Sequence, residues 1–371
     1  MLESNEPKEV DKLLSMMVKF GATDLHLKVG SPPIYRVARV VRRMEVEPLT
    51  GDQIKQMVYE ILLPKFIAEL ERTGNADLAY SIQGVGRFRV SVFKQRGSVS
   101  FAARRVYTEV PTLKQLNLPD SLCDLCELDH GLVIVAGITG SGKTTTLAAL
   151  VSLVNQTRRC HILTIEDPIE YLHKDELAFV NQREVGLDVQ DYPTALKYMV
   201  REDPDVILIG ELRDAPSFEA ALVAAETGHL VFGAMHASSA GQSIGRMLDL
   251  FPTDRHQQIR TLLEFNLRAF VVQKLLKGAT KEIPLVPAVE IMLVNPTIKK
   301  LIRERQDDKV IEVVQSSREL GMQSMNQSLE MLVEAGLITD KVAIEASPTP
   351  ETLKMTLSGI RFQSDRGSIV S

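Results

Sequence analysis

Leu132-Val-Ile-Val-Ala-Gly-Ile-Thr-Gly-Ser-Gly-Lys-Thr144 is the stretch on which the reading of this chain turns. Its unbroken apolar run, Leu132–Ala136, predicts a strand buried on both faces, as a parallel sheet requires. The spacing that follows, Gly137-x-x-x-x-Gly142-Lys143-Thr144, belongs to a phosphate-cradling loop, and a helix is predicted from Lys143 through Thr145, Leu147 and Leu150. Glycines let backbone N–H groups turn inward around a phosphate, and the helix N-terminus adds its dipole. Lys143 neutralises β/γ-phosphate charge, and the Thr144 hydroxyl is the expected ligand of Mg²⁺. Gly137, Ile138, Thr139, Gly140, Ser141, Gly142, Lys143, Thr144 and Thr145 are therefore the expected nucleotide contacts, with ATP and Mg²⁺ as cofactors.

Towards the C-terminus, further apolar runs (ILTI, VILIG, LVFGAM) alternate with helical stretches, the grammar of a doubly wound α/β domain. Hydrolysis needs a carboxylate near the γ-phosphate. Glu211 follows the strand Val206–Ile209, at the carboxyl end where open α/β sheets bind ligands, and is the expected base for the attacking water. Gly210 stands where many P-loop enzymes carry a metal-associated Asp, so another carboxylate must support the metal. Glu166 and Asp167, after the strand Ile162–Ile165, are the candidates, although carboxylates after strands also serve as helix caps. His229 and His236 flank the strand Leu230–Ala234; His236 is placed to sense the γ-phosphate, and two ordinary polar caps are the alternative.

Towards the N-terminus, apolar spacing over residues 8–20 predicts a helix closed by Gly21. Extended runs are predicted at 24–29 and 34–41, a helix from the N-cap Thr50 to about Arg72, and strands at 77–82, 86–93 and 98–106. Residues 108–120, with two prolines, read as a connector. After Pro287 the pattern turns helical, at 296–305, 309–317, 325–335 (capped by Gly336), 340–346 and 350–357, with a loose tail from Phe362. The divisions are 1–107, a small α+β domain; 108–125, a linker; 126–290, an α/β core; and 291–371, a helical region with its tail.

Composition agrees with a folded two-domain chain: 371 residues, 44% hydrophobic and 25% charged. Net charge is −5, yet basic residues crowd the first third, among them Arg36, Arg39, Arg87, Arg89, Arg104 and Arg105. These form either solvated strand faces or a surface for phosphate. The three cysteines make no disulfide framework, and the Cys123/Cys126 pair lacks a second pair to complete a zinc site. The N-terminus has no apolar signal region, and no run of eighteen uncharged apolar residues occurs, so membrane contact is expected only through a protein partner.

Walker A, ILTIEDPIEY, REDPDVILIGELRD (201–214) and GHLVFGAMHASSA, in that order, resemble the Walker A, Asp box, atypical Walker B and His box of the secretion/type IV pilus superfamily of RecA-like ATPases. The resemblance covers nearly the whole chain. Asp24-Leu-His-Leu27 with Gly30-Ser-Pro-Pro33 looks like the PAS-like N-terminal domain of the pilus retraction ATPases, and GRFRVSVF (86–93) like the strand bearing their trans-acting arginines. TIKKLIRE (297–304) is similar to their AIRNLIRE motif, with Thr297 for Ala and Lys299-Lys300 for Arg-Asn; Ala38-Arg39 stand where Asp-Gly is common. The resemblance implies a RecA-like core, a homohexamer powering type IV pilus retraction, and arginines lent to the neighbouring subunit's nucleotide, Arg89 and Arg104 by position with Arg87 behind them. It implies catalytic roles for Glu166, His229 and His236, and work delivered to a PilC-like inner-membrane pilus platform protein from the cytoplasmic side. The alternatives are an accessory retraction or assembly ATPase, a weakly hydrolysing nucleotide-binding regulator, and a nucleic-acid translocase. Without Trp and with 5% aromatics, the chain offers no stacking platform for nucleic acid.

Overall fold

The computed structural model describes residues 8–37 and 40–359, in two compact units. Arg39, the Ala38-Arg39 departure and the tail from Phe362 lie outside the described residues.

The first unit comprises Met1–Glu109 together with Pro168–Leu172. Its strands are β1 (Ala22–Leu27), β2 (Ile34–Val37), β3 (Val40–Arg43), β4 (Asn75–Ile82), β5 (Gly86–Gln95) and β6 (Ser98–Val106), paired antiparallel in the order β3-β2-β1-β6-β5-β4. Alternation decides the faces: Phe88, Val90, Phe101 and Ala103 point into a core shared with Leu14, Met17 and Ile54 from helices Glu9–Lys19 and Gly51–Tyr59. Thr50 caps the second of these in a reciprocal box with Gln53, as its sequence predicts. Two expectations are corrected. The single helix from Thr50 to about Arg72 is two, Gly51–Tyr59 and Pro64–Thr73, because the residue before a proline avoids the α region and Leu63 is extended (φ −70°, ψ 154°). The single run 34–41 is instead a pair of strands, β2 and β3. Residues 168–172 join this unit through Tyr107, whose N–H donates to Glu170 O (2.9 Å), whose carbonyl accepts from Leu172 N (2.7 Å), and whose ring stacks on Tyr171.

The second unit carries β7 (Gly131–Ala136), β8 (His161–Glu166), β9 (Phe179–Glu184), β10 (Val206–Ile209), β11 (Leu230–Met235), β12 (Leu267–Lys277) and β13 (Leu285–Leu293), in the order β13-β12-β7-β11-β10-β8-β9. All pairs are parallel except β12–β13. Every residue of β7, β8, β10 and β11 is buried, which explains their unbroken apolar runs. Leu132, Ile134 and Ala136 pack with Phe218, Leu222, Ile259 and Leu263, while Val133 and Val135 pack with Leu147, Leu150 and Val154. Each such fully buried aliphatic side chain contributes about 1.5–3 kcal/mol. Leu113, Leu118, Leu122 and Leu125, from the connector, are buried in the same core. Pro287 lies inside β13, an edge strand that the sequence did not announce and where the missing N–H is tolerated; the first helix beyond it starts at Pro296, as expected, with Asn295 as its N-cap.

Candidate active site

The phosphate-loop glycines are dictated by what lies behind them. A Cβ on Gly137 would stand 2.4 Å from Gln273 O and 2.5 Å from Ser141 Oγ; one on Gly142, whose φ is +89°, would stand 2.8 Å from Gln273 Nε2. Gln273, on β12 and almost wholly buried, braces the loop: its Nε2 donates to Ser141 O (2.7 Å) and its Oε1 accepts from Thr146 Oγ1 (2.8 Å). Sequence reading missed it, although one glutamine inside the apolar run of β12 was the signal. Lys143 Nζ donates to the carbonyls of Gly137 (2.9 Å) and Ile138 (3.2 Å); burial lowers its pKa, partly opposed by the nearby Glu211. Thr144 is exposed at the start of the helix Lys143–Thr157. The Ser141 hydroxyl is buried with no hydrogen-bond partner among the described residues, an unmet polar atom inside a cradle shaped for phosphate. Beside the loop, Gly142, Thr145, Gln273 and segments 114–117 and 282–287 line a cleft of about 500 Å³, large enough for a nucleoside.

The carboxyl ends of β8, β10 and β11 bring together Glu166, Glu211 and His236. Glu211 follows β10, and its Oε1 lies 3.2 Å from His236 Nε2. Their side chains are 38% and 53% exposed, so this contact adds little to stability and is free to rearrange. Glu166 is buried; its Oε1 accepts from Thr164 Oγ1 (2.7 Å) and Gln182 Nε2 (3.1 Å), which fixes the carboxylate. Asp167, the next residue, is exposed. Gly210 has a steric reason: a Cβ there would meet Tyr192 Oη at 3.1 Å, Ile165 O at 3.2 Å and Glu166 Cα at 3.3 Å. Tyr192, at the start of the helix Tyr192–Met199, is a second residue the sequence did not reveal. Its phenol pKa is pushed up by burial and then by the carboxylates of Asp167, Glu211 and Glu166, and the Arg213 guanidinium lies 5.6 Å from its ring centroid. Among the described residues no three His, Cys, Asp or Glu side chains converge as a metal site. The oxygens of Thr144, Glu166 and Asp167 nevertheless suit a hard cation that arrives with phosphate and keeps its waters.

His229 is not brought to this cluster, against the expectation that it reports on the γ-phosphate. It precedes β11, so it lies at the amino end of the sheet; its Nδ1–H donates to Ala224 O (2.9 Å), and Thr227 Oγ1 lies 3.1 Å from the same nitrogen. The polar-cap alternative describes it. The Cys pair packs: Cys126 Sγ donates to Leu150 O, and burial pushes its thiol up to about 12.

In the first unit, strand register places Arg36, Asp24, Arg104 and Arg89 directly opposite one another across β2, β1, β6 and β5. Arg104 Nε donates to Asp24 Oδ1 at 2.8 Å, and Arg36 Nε lies 3.5 Å from Oδ2. Burial alone would raise the Asp24 pKa, but the Thr23 hydroxyl and Arg104 outweigh it and hold the carboxyl below its usual value. Arg104 remains 64% exposed despite this pairing. Arg87 Nε is buried with no partner among the described residues.

A glycine loop feeding a helix, with carboxylates at the ends of adjacent parallel strands, defines a P-loop nucleoside-triphosphate hydrolase. Residues 113–344 match the family model described as Type II/IV secretion system protein. Over 92% of its length this chain is 40% identical to the type IV pilus retraction ATPase PilT of Pseudomonas aeruginosa, covering 99% of that protein. It is 37% identical to the type IV pilus ATPase PilU of the same organism, over 94% of this chain and 91% of that one. The crystal structure of the pilus retraction motor PilT with bound ADP matches at a TM-score of 0.87 and 42% identity, covering 94% of this chain and 99% of that one. The chain belongs to the type II/IV secretion family and is an ATPase. Among the described residues no helix is long and apolar enough to cross a membrane.

Proposed function

We propose that this chain is a ring-forming ATP-driven motor that retracts type IV pilus fibres by pilin depolymerisation. The observation that carries the reading is the match to ADP-bound PilT over almost the whole of both chains, joined to a cradle, a carboxylate and a histidine converging on the same strand ends. ATP lies on Gly137–Thr145 with its base in the adjoining cleft. Thr144, with Glu166 and Asp167 beside it, would hold Mg²⁺, which would supply charge neutralisation of the phosphates. Glu211 orients and deprotonates the attacking water, and His236, 3.2 Å from it, reports on the γ-phosphate through the loop that follows β11.

In this reading six copies close a ring, and Arg89 and Arg104 of one protomer reach the nucleotide of the next. Arg36, Arg104 and Arg89 together exceed what Asp24 can neutralise, which supports a row kept for an external anion. Work passes to a PilC-like platform protein at the inner membrane, where the motor sits peripherally on the cytoplasmic face. Turnover per protomer followed against protein concentration, with mass in solution recorded in parallel, tests the shared site. Specific activity is expected to rise at least tenfold as the ring assembles; dilute protomers turning over at the assembled rate overturn it. The comparable identity to PilU supports a second reading, an accessory pilus ATPase. A deletion strain that accumulates surface pili without motility supports the retraction motor, and one that retracts normally supports the accessory role.

A further inference from the structure

Among the described residues, the carboxyl end of the parallel sheet holds a phenol that the hydrolytic scheme does not use. Tyr192 is only 5% exposed, and its phenol stands within the influence of the Asp167, Glu211 and Glu166 carboxylates. Its position is defined by Gly210: the oxygen lies 3.1 Å from where a Cβ of residue 210 would stand, in the gap between the ends of β8 and β10. Glu166, which contributes to the wall of that gap, and Glu211, which follows Gly210, are both close enough for their charges to act on the phenol. A hydroxyl and several carboxylates that do not touch are the setting for a bridging water.

We infer that the Tyr192 hydroxyl stands in for the side chain that Gly210 lacks, donating a hydrogen bond to a water held between it and the Glu166 and Glu211 carboxylates. The inference rests on the proposed hydrolytic site and adds a positioning residue to it. A phenol is protonated at neutral pH and therefore donates, whereas the carboxylates around it only accept. A water that accepts from Tyr192 keeps both of its own protons for the carboxylates, so it is oriented by three partners without any of them changing protonation state. The tyrosine also bears on position 210: a Cβ there would crowd the hydroxyl at 3.1 Å, as it would the backbone of Ile165 and Glu166.

The test is Tyr192→Phe in the full-length protein, which keeps the ring and removes only the oxygen. ATP turnover, the KM for ATP, binding of a fluorescent ADP analogue and the thermal midpoint are measured together. The expected result is a kcat about tenfold lower with KM and ADP binding within twofold, because the lost contact acts on water rather than on nucleotide. The midpoint is expected to stay within about 2 °C of the parent, since the ring and its packing are kept. A kcat within twofold of the parent overturns the inference. So does a lower kcat accompanied by a fallen midpoint and weakened ADP binding, which marks the tyrosine as packing alone. Glu211→Gln run alongside separates the two levels: if it too leaves turnover unchanged, the hydrolytic reading fails; if it abolishes turnover while Tyr192→Phe does not lower it, only the role of Tyr192 fails.

Discussion

The two ends of the parallel sheet use the same residue types and treat them oppositely. At the amino ends, His161 opens β8 with its Nδ1–H donating to Asp203 O (3.0 Å), its Nε2 accepting from Asn181 (3.0 Å), its N–H bonded to Asp205 (2.8 Å) and its ring stacked on Phe179. His229 is likewise bonded to Ala224 O. These groups are satisfied by their own neighbourhood. At the carboxyl ends, an exposed His236 contacts a half-buried Glu211, Thr144 faces outward, and Ser141 Oγ has no partner among the described residues. Position along a parallel strand, more than residue identity, separates a capping histidine from a working one, because strand carboxyl ends open towards helix N-termini and the anions these attract.

That contrast breaks most severely at Glu211. Replacing it by Gln removes the proposed base and keeps the shape, so kcat in a steady-state ATPase assay is expected to fall by about 10²–10⁴ while ADP affinity stays within a few-fold. His236→Ala, which deletes the partner of Glu211 at the same end, is expected to cost about tenfold in kcat. His229→Ala is the counterpart at the other end: turnover within twofold, with a loss of about 1 kcal/mol in unfolding free energy from the vanished bond to Ala224 O. Equal effects of the two histidine variants on kcat would erase the distinction between the ends.

Much of this site was legible in the sequence because its parts are local. The glycine spacing, the strand before it and the helix after it sit within a dozen residues, and Glu166 and Glu211 announce themselves by following apolar runs. What escaped reading depends on contacts between distant residues. Gln273 reaches Thr146 from 127 positions away. Tyr192 is placed by packing against Gly210, and nothing in the run Asp191-Tyr-Pro forecasts it. A role for His229 came from the resemblance alone; its place before β11 and its bond to Ala224 O fit the polar cap that the pattern offered as the alternative. In the first unit the arginines were visible as a cluster, but their alignment with Asp24 needed the strand register. The edge strand β13 was hidden by Pro287, a residue that ordinarily argues against a strand.

The pose of Lys143 carries a consequence for how occupancy begins. Its ammonium is parked on two carbonyls of the very loop it serves, which Gln273 holds in shape from behind. An arriving triphosphate therefore meets a prefolded bed with its cation already docked, and has only to trade those carbonyls for phosphate oxygens. Capture becomes an exchange of partners by one flexible side chain, so the speed of loading is set by diffusion and desolvation rather than by refolding of the backbone.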